Sequence, residues 1–342
     1  MAASRTSYSL NSRNAFSLLR DLYARAPASV ATLGSILASW LLSKAWEDYI
    51  LYYSLGPGGF LPHSFFGWLI HNLILWPISL PRSATTGTSF LPPADLGRGH
   101  EPNLLGEGKL PVRRGGRRPR IKGVVPHRCL EGGNNETRQL ILTHLHHLSN
   151  LHPTILTLGS SKLERSPPSH LNALFHHPSA NNSAPSPLAT HYLSLLPSRE
   201  ICHVHDAEES VDEGSLHCLL SPADAHEVIK AGWGELHPLA GFGKKGFWWP
   251  PTVLLDLARL PIVGTLFSGE AQARRWGRAY PPVLTNRGGG SRGLQKLPPT
   301  YLMIYPARDG AEVDAVKQIV EASVGFATGF ACGTVARGGE GE

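Results

Sequence analysis

Four histidines, His203, His205, His217 and His237, fall between Arg199 and Gly241 and are the residues of this chain best suited to chemistry. An imidazole titrates near neutral pH, so it can take or give a proton, steady a developing negative charge, or ligate a metal. Spacing decides whether the four can act together. In Arg199 to His205, strand alternation predicts Ile201, His203 and His205 on one face and Cys202 and Val204 on the other, because successive side chains point to opposite sides. In Ser215 to Leu220 the same rule sets Ser215, His217 and Leu219 against Leu216, Cys218 and Leu220. A hairpin turning across Asp206 to Gly214, with its Cys/Val and Leu/Cys/Leu faces buried, brings three imidazoles to one surface. A single strand histidine is ordinarily a satisfied structural residue; three on one face with a fourth nearby predict a site.

The elements around the hairpin carry their own signals. Ser221 caps a helix with Pro222 at its first position and Asp224 three residues on, Ala225, Val228 and Ile229 form its apolar stripe, and Gly232 ends it. That helix delivers Trp233 and Gly234 and, through a turn, His237. Tyr301 to Tyr305 reads as a strand. Asp309 and Glu312 open a helix that carries Val313, Val316, Val320 and Val324 inward and stops near Gly329. Upstream, Asn135 to Leu151 is an amphipathic helix and Thr154 to Leu158 a short strand. The predicted class is α+β, a small antiparallel or mixed sheet with helices packed on one face, preceded by N-terminal hydrophobic membrane-associated helices.

The chain has 342 residues and is 42% hydrophobic, enough for a sizeable core, but its 36 glycines and 28 prolines cluster and divide it. Residues 1–28 read as a polar tail and 29–80 as membrane-anchoring segments. Within the latter, Ser29 to Leu42 is uncharged, and Ile50 to Leu80 is broken at Leu55 to Gly59 and studded with aromatics suited to a headgroup boundary. A single-pass or hairpin anchor in an endomembrane follows. Residues 81–133 read as a Gly/Pro/Arg-rich linker, 134–330 as the α+β domain with a long insertion at 242–296 and one short helix near Val253 to Leu260, and 331–342 as a disordered tail.

The formal charge of +6 is local, matching the six cations Arg113, Arg114, Arg117, Arg118, Arg120 and Lys122, so no basic face for nucleic acid is expected. The four cysteines form no C-x-x-C pair. Gly241 to Gly246 matches G-x-G-x-x-G, but no strand precedes it and Pro250-Pro251 bars a helix after it; Gly289 to Gly293 matches G-x-S-x-G inside a glycine-rich loop. Neither match has its structural context.

The blocks REICHVHD, SLHCLLSPADAHEVIKAGWGELHPLAG and LPPTYLMIYPARDGAEVDAVKQIVEASVGFATG resemble the luciferase domain of the fungal luciferase family. DYILYYSLGPGGFLPHSFFGWL, LPVRRGGRRPRIKGVVPHR and SKLERSPPSHLNALF are similar to upstream segments of that family, in the same order. The resemblance implies a membrane-associated protein whose luminous relatives oxidise 3-hydroxyhispidin, a styrylpyrone, with O2, through a peroxide-type intermediate and with no added metal or organic cofactor. His203, His205, Asp206, His217, Trp233, Gly234 and His237 fall on matching positions. We expect His203, His205, His217 and His237 to be catalytic, with one imidazole as general base and another facing peroxide charge. Asp206, Trp233 and Gly234 are expected to contact a small aromatic substrate, and no cofactor beyond O2 as co-substrate. The alternatives are a three-histidine metal enzyme using His203, His205 and His217, and a non-catalytic membrane-bound module that binds a hydrophobic small molecule.

Overall fold

The computed structural model describes residues 23–93, 103–177, 186–205, 214–241 and 297–330, with Ser17, Arg20 and Asp21. The chain divides into two compact units, Met1–Leu51 and Tyr52–Glu342. The first holds all but the last three residues of helix α1, Pro27–Ser54, whose 28 residues include an 18-residue apolar stretch and make it long and apolar enough to cross a membrane, a test that a signal sequence also passes. Leu33, Ile36, Trp40, Leu42 and Trp46 along it are each more than half exposed.

The second unit is built on a six-stranded, wholly antiparallel sheet in the order β3-β4-β5-β6-β8-β7. Its strands are β3 (Leu156–Gly159), β4 (Ala173–His176), β5 (Glu200–Val204), β6 (Leu216–Leu219), β7 (Gly234–Leu236) and β8 (Tyr301–Ile304); a two-stranded ribbon, β1 (Ile121–Lys122) with β2 (Arg128–Cys129), precedes them. β5 and β6 form the expected hairpin, with Cys202 opposite Cys218, His203 opposite His217 and Val204 opposite Leu216. The alternation therefore buries Cys202, Val204, Leu216, Cys218, Leu302 and Ile304 on one side, where helices cover them. The cover is α4 (Asn135–Leu151), packed on β3, β4 and β5, and α7 (Gly310–Thr328), packed on β5 and β6, with α5 (Pro187–Ser194) against α7. Each large apolar side chain so buried contributes roughly 1.5–3 kcal/mol. Ser323 on α7 adds a tie, its hydroxyl donating to the Leu219 carbonyl at 2.6 Å.

The capping signals are realised. Ser221 caps α6 (Pro222–Lys230) by accepting from the Asp224 N–H, and Asp309 caps α7 by accepting from the Glu312 N–H. α7 ends on Gly329 at φ 71°, the left-handed conformation glycine adopts without penalty.

The reading of 81–133 as a linker is corrected. Beyond a short helix α3, Arg82–Thr85, residues 103–133 lie against the domain, with Leu105, Leu110, Arg113, Val124, Val125, His127, Arg128 and Cys129 buried. Two cations of the basic run tie the fold together. Arg113 donates to the Pro306 carbonyl at 3.0 Å and pairs with Glu312 at 3.8 Å, while Arg118 donates to the carbonyls of Gly234 and Ile229, both at 2.6 Å. Composition hid this because those guanidiniums satisfy backbone carbonyls, a role that leaves no hydrophobic period. Between α1 and this segment lies α2, Phe65–Ile78, with a π-turn at His71–Leu75. His71 and Leu75 face inward and Phe66 and Leu73 outward, the latter two more than two-thirds exposed, so α2 is partly a packed helix and partly an apolar surface. The expected insertion 242–296 with its helix at Val253 to Leu260, the tail 331–342 and Asp206 lie outside the described residues.

Candidate functional site

The face of the sheet opposite the helices carries the histidines. His203, His205 and His217 project from the paired strands, and His237 follows β7, its N–H donating to the Tyr301 carbonyl at 2.9 Å. All four are buried: none exceeds 6% exposure. The His217 ring is the hub, 5.3 Å from His203, 4.9 Å from His205 and 5.1 Å from His237, with the Tyr301 ring stacked on it at 5.3 Å.

A fifth imidazole completes the cluster. His127, just before β2, lies 5.3 Å from His217 and 4.9 Å from His237, is 2% exposed, and has no hydrogen-bond partner on either ring nitrogen among the described residues. Two carboxylates join them. The register shift between Leu174 and Phe175 leaves Ile201 as an extra residue on β5, which turns Glu200 to the same side as His203. Glu200 Oε1 then sits 2.7 Å from His203 Nδ1 and accepts from the Ser161 hydroxyl at 2.7 Å, while its Oε2 accepts from the N–H groups of Lys162 and Leu163. Glu164 Oε1 lies 3.6 Å from His203 Nε2 and 3.8 Å from His205 Nε2, and its Oε2 pairs with Arg128.

These neighbours set the protonation states. Burial pulls the His203 pKa down, but Glu164 and Glu200 together outweigh it and lift it to about 9. Burial tends to raise the Glu164 carboxyl, yet the Arg128 guanidinium with His203 and His205 holds it well below the usual range. Burial and the neighbouring imidazoles keep His127 and His217 well below ordinary histidine, and burial takes His237 down to about 3. His127, His217 and His237 are therefore neutral rings at physiological pH. The hydrogen bonds distinguish two of them. His217 Nδ1 lies 3.1 Å from the Leu302 carbonyl, so it carries the proton and Nε2 the lone pair. His237 Nδ1 accepts the Leu239 N–H at 3.0 Å, so its Nε2 is the donor.

A cavity of about 230 Å³ opens onto this face, walled by His127, Glu164, His203, His217, His237 and Tyr301 and by the apolar Phe60, Val124, Val125, Leu163, Leu239 and Leu297. It exceeds the 150 Å³ or so that holds a benzene ring, so one reacting ring with a small co-substrate fits. Trp233 and Gly234 are not part of its wall. The Trp233 indole donates to the Pro111 carbonyl under the Arg113 guanidinium, and a Cβ at Gly234 would stand 2.4 Å from the Met303 carbonyl, so that glycine serves the close approach of β7 to β8. Sequence reasoning missed His127, Arg128, Glu164, Glu200 and Tyr301. Every one lies in a block that carries the family resemblance, which is the signal that would have found them.

The luciferase-domain family matches residues 198–263, a span that holds four of the five clustered histidines and runs into the expected insertion. The chain is 30% identical to a luciferase of Neonothopanus nambi over 240 residues, 69% of this chain and 82% of that protein. It is 28% identical to a luciferase of Armillaria ostoyae over 184 residues, 54% of this chain and 47% of that one, and a luciferase of Armillaria gallica matches over the same lengths at 27%. No solved structure matches. With the ordered blocks, the hairpin site and these relatives in agreement, the chain belongs to the luciferase-domain family of fungal luciferases.

Proposed function

We propose that this protein is a membrane-associated, oxygenase-like enzyme that uses O2 to oxidise a hydroxylated aromatic of the styrylpyrone type. The observation that carries the reading is the buried cavity whose wall presents neutral imidazoles, one of them, His127, with both ring nitrogens unpartnered among the described residues. A buried polar group without a partner costs about 1–3 kcal/mol, and a bound polar molecule removes that cost. Kinship with fungal luciferases supports O2 as the co-substrate.

In this reading the substrate hydroxyl gives its proton to His127, whose ring nitrogens have no other partner among the described residues. The resulting anion is electron-rich enough to add O2 at a ring carbon, and the negative charge moves to the distal peroxide oxygen. The Nε2–H of His237, fixed by the Leu239 N–H behind it, faces that charge and stabilises it. Tyr301, its phenol held protonated by burial, and the apolar wall exclude water from the intermediate. No organic cofactor enters the scheme. Helix α1 supports membrane attachment, which suits a lipophilic substrate. The test is oxygen uptake by the detergent-solubilised chain with a hydroxylated styrylpyrone and with its O-methylated analogue. Uptake with the first and none with the second is expected; equal uptake, or none with either, contradicts the proposal.

A further inference from the structure

We infer that His203, His205, His217 and Glu164 form a binding site for one divalent transition-metal ion. The ion can sit there whatever the substrate, so the inference goes beyond the reaction proposed above, and it departs from the expectation of metal-free chemistry. One ligand atom from each of the three histidines lies within 4.8 Å of the others. The fourth ligand is Glu164 Oε1, 3.6 Å from His203 Nε2 and 3.8 Å from His205 Nε2. These separations are long for hydrogen bonds, whereas two atoms each about 2.1 Å from a tetrahedral ion stand about 3.4 Å apart.

The outer partners are those a metal site requires. Each ring has its Nδ1 engaged by an oxygen: Glu200 Oε1 at 2.7 Å for His203, the Ser215 hydroxyl at 2.8 Å for His205 and the Leu302 carbonyl at 3.1 Å for His217. A ring held this way directs its Nε2 lone pair inward, and Arg128 orients the carboxylate from its other oxygen. Charge points the same way. Two carboxylates, the buried Glu200 and the partly buried Glu164, face one buried guanidinium, Arg128, so a further cation is electrostatically favoured between them.

A second close triad, His127, His217 and His237, suits an ion less well. It contains no anion, His127 has no outer partner among the described residues, and His237 presents Nε2 as a donor. Three imidazoles and one carboxylate favour iron, zinc, cobalt or copper over magnesium or calcium.

The experiment is elemental analysis of the full-length, detergent-solubilised protein, as purified and after loading with Co(II), read also by the visible absorption of cobalt. We expect stoichiometric metal in the wild type and in His127→Ala, its loss in His205→Ala and in the isosteric Glu164→Gln, and roughly 10–100-fold weaker binding in Ser215→Ala. Folded wild type that neither carries nor takes up metal overturns the inference, as does loss in His127→Ala with retention in His205→Ala. Protein that takes up no metal yet consumes oxygen overturns this inference and leaves the proposed reaction standing; protein that binds metal stoichiometrically yet consumes no oxygen does the reverse.

Discussion

The two faces of the central sheet are built on opposite terms. On one, Cys202, Val204, Leu216, Cys218, Leu302 and Ile304 meet regular helices, and the contacts are apolar and non-directional. On the other, five histidines, Glu200 and Arg128 are buried under irregular segments with Glu164 partly buried beside them, and every polar atom there needs a partner of the right kind and orientation. The first face draws its stability from area, the second from a charge and hydrogen-bond network that holds a cavity open. A fold can afford the second only because the first supplies the stability.

That contrast can be broken at specific residues. The largest expected effect is Glu200→Leu, which strips His203, Ser161 and the Lys162 and Leu163 N–H groups of their common acceptor. Urea denaturation should show a loss of about 3–5 kcal/mol; a loss under about 1 kcal/mol would show that the histidine face is not held by this network. On the helix side, Ile304→Ala should cost about 2–4 kcal/mol by cavity formation while leaving oxygen consumption per folded molecule unchanged, and a lost activity with intact stability would mean that the two faces are not separable in this way.

A smaller effect concerns pH. Burial lifts the Asp224 carboxyl at the start of α6 to about 6, despite bonds from the Leu105 N–H and the Ser221 hydroxyl. The folded chain therefore binds that proton more tightly than the unfolded chain does. Its contribution is full below pH 4 or so and is lost as pH rises through about 6, on the order of 2–3 kcal/mol. Asp224→Asn should flatten that slope in thermal melts taken across the range, and an unchanged slope would assign it to other groups.

Legibility in the sequence followed the range of the interactions. The hairpin, the Ser221 and Asp309 caps, the helix ending at Gly329 and the shared face of His203, His205 and His217 are set by neighbours a few residues apart, and they were readable. Glu200 was missed because the extra residue Ile201 reverses the strand parity that local alternation assumes. His127, Arg128 and Glu164 reach the site from stretches with no period at all, placed by long-range pairs such as Arg128 with Glu164. Trp233 was expected at the substrate because it follows a capped helix toward His237; instead it stacks under Arg113, a partner that composition alone had assigned to a linker.

The central claim is that the buried histidine face is where oxygen chemistry occurs. Its most direct test is the rate of oxygen consumption, with a hydroxylated styrylpyrone, by wild type and by a His127→Ala, His237→Ala double variant shown by its cooperative melt to be folded. The account predicts a loss of at least about 10²-fold in the variant. Turnover equal to wild type would contradict it.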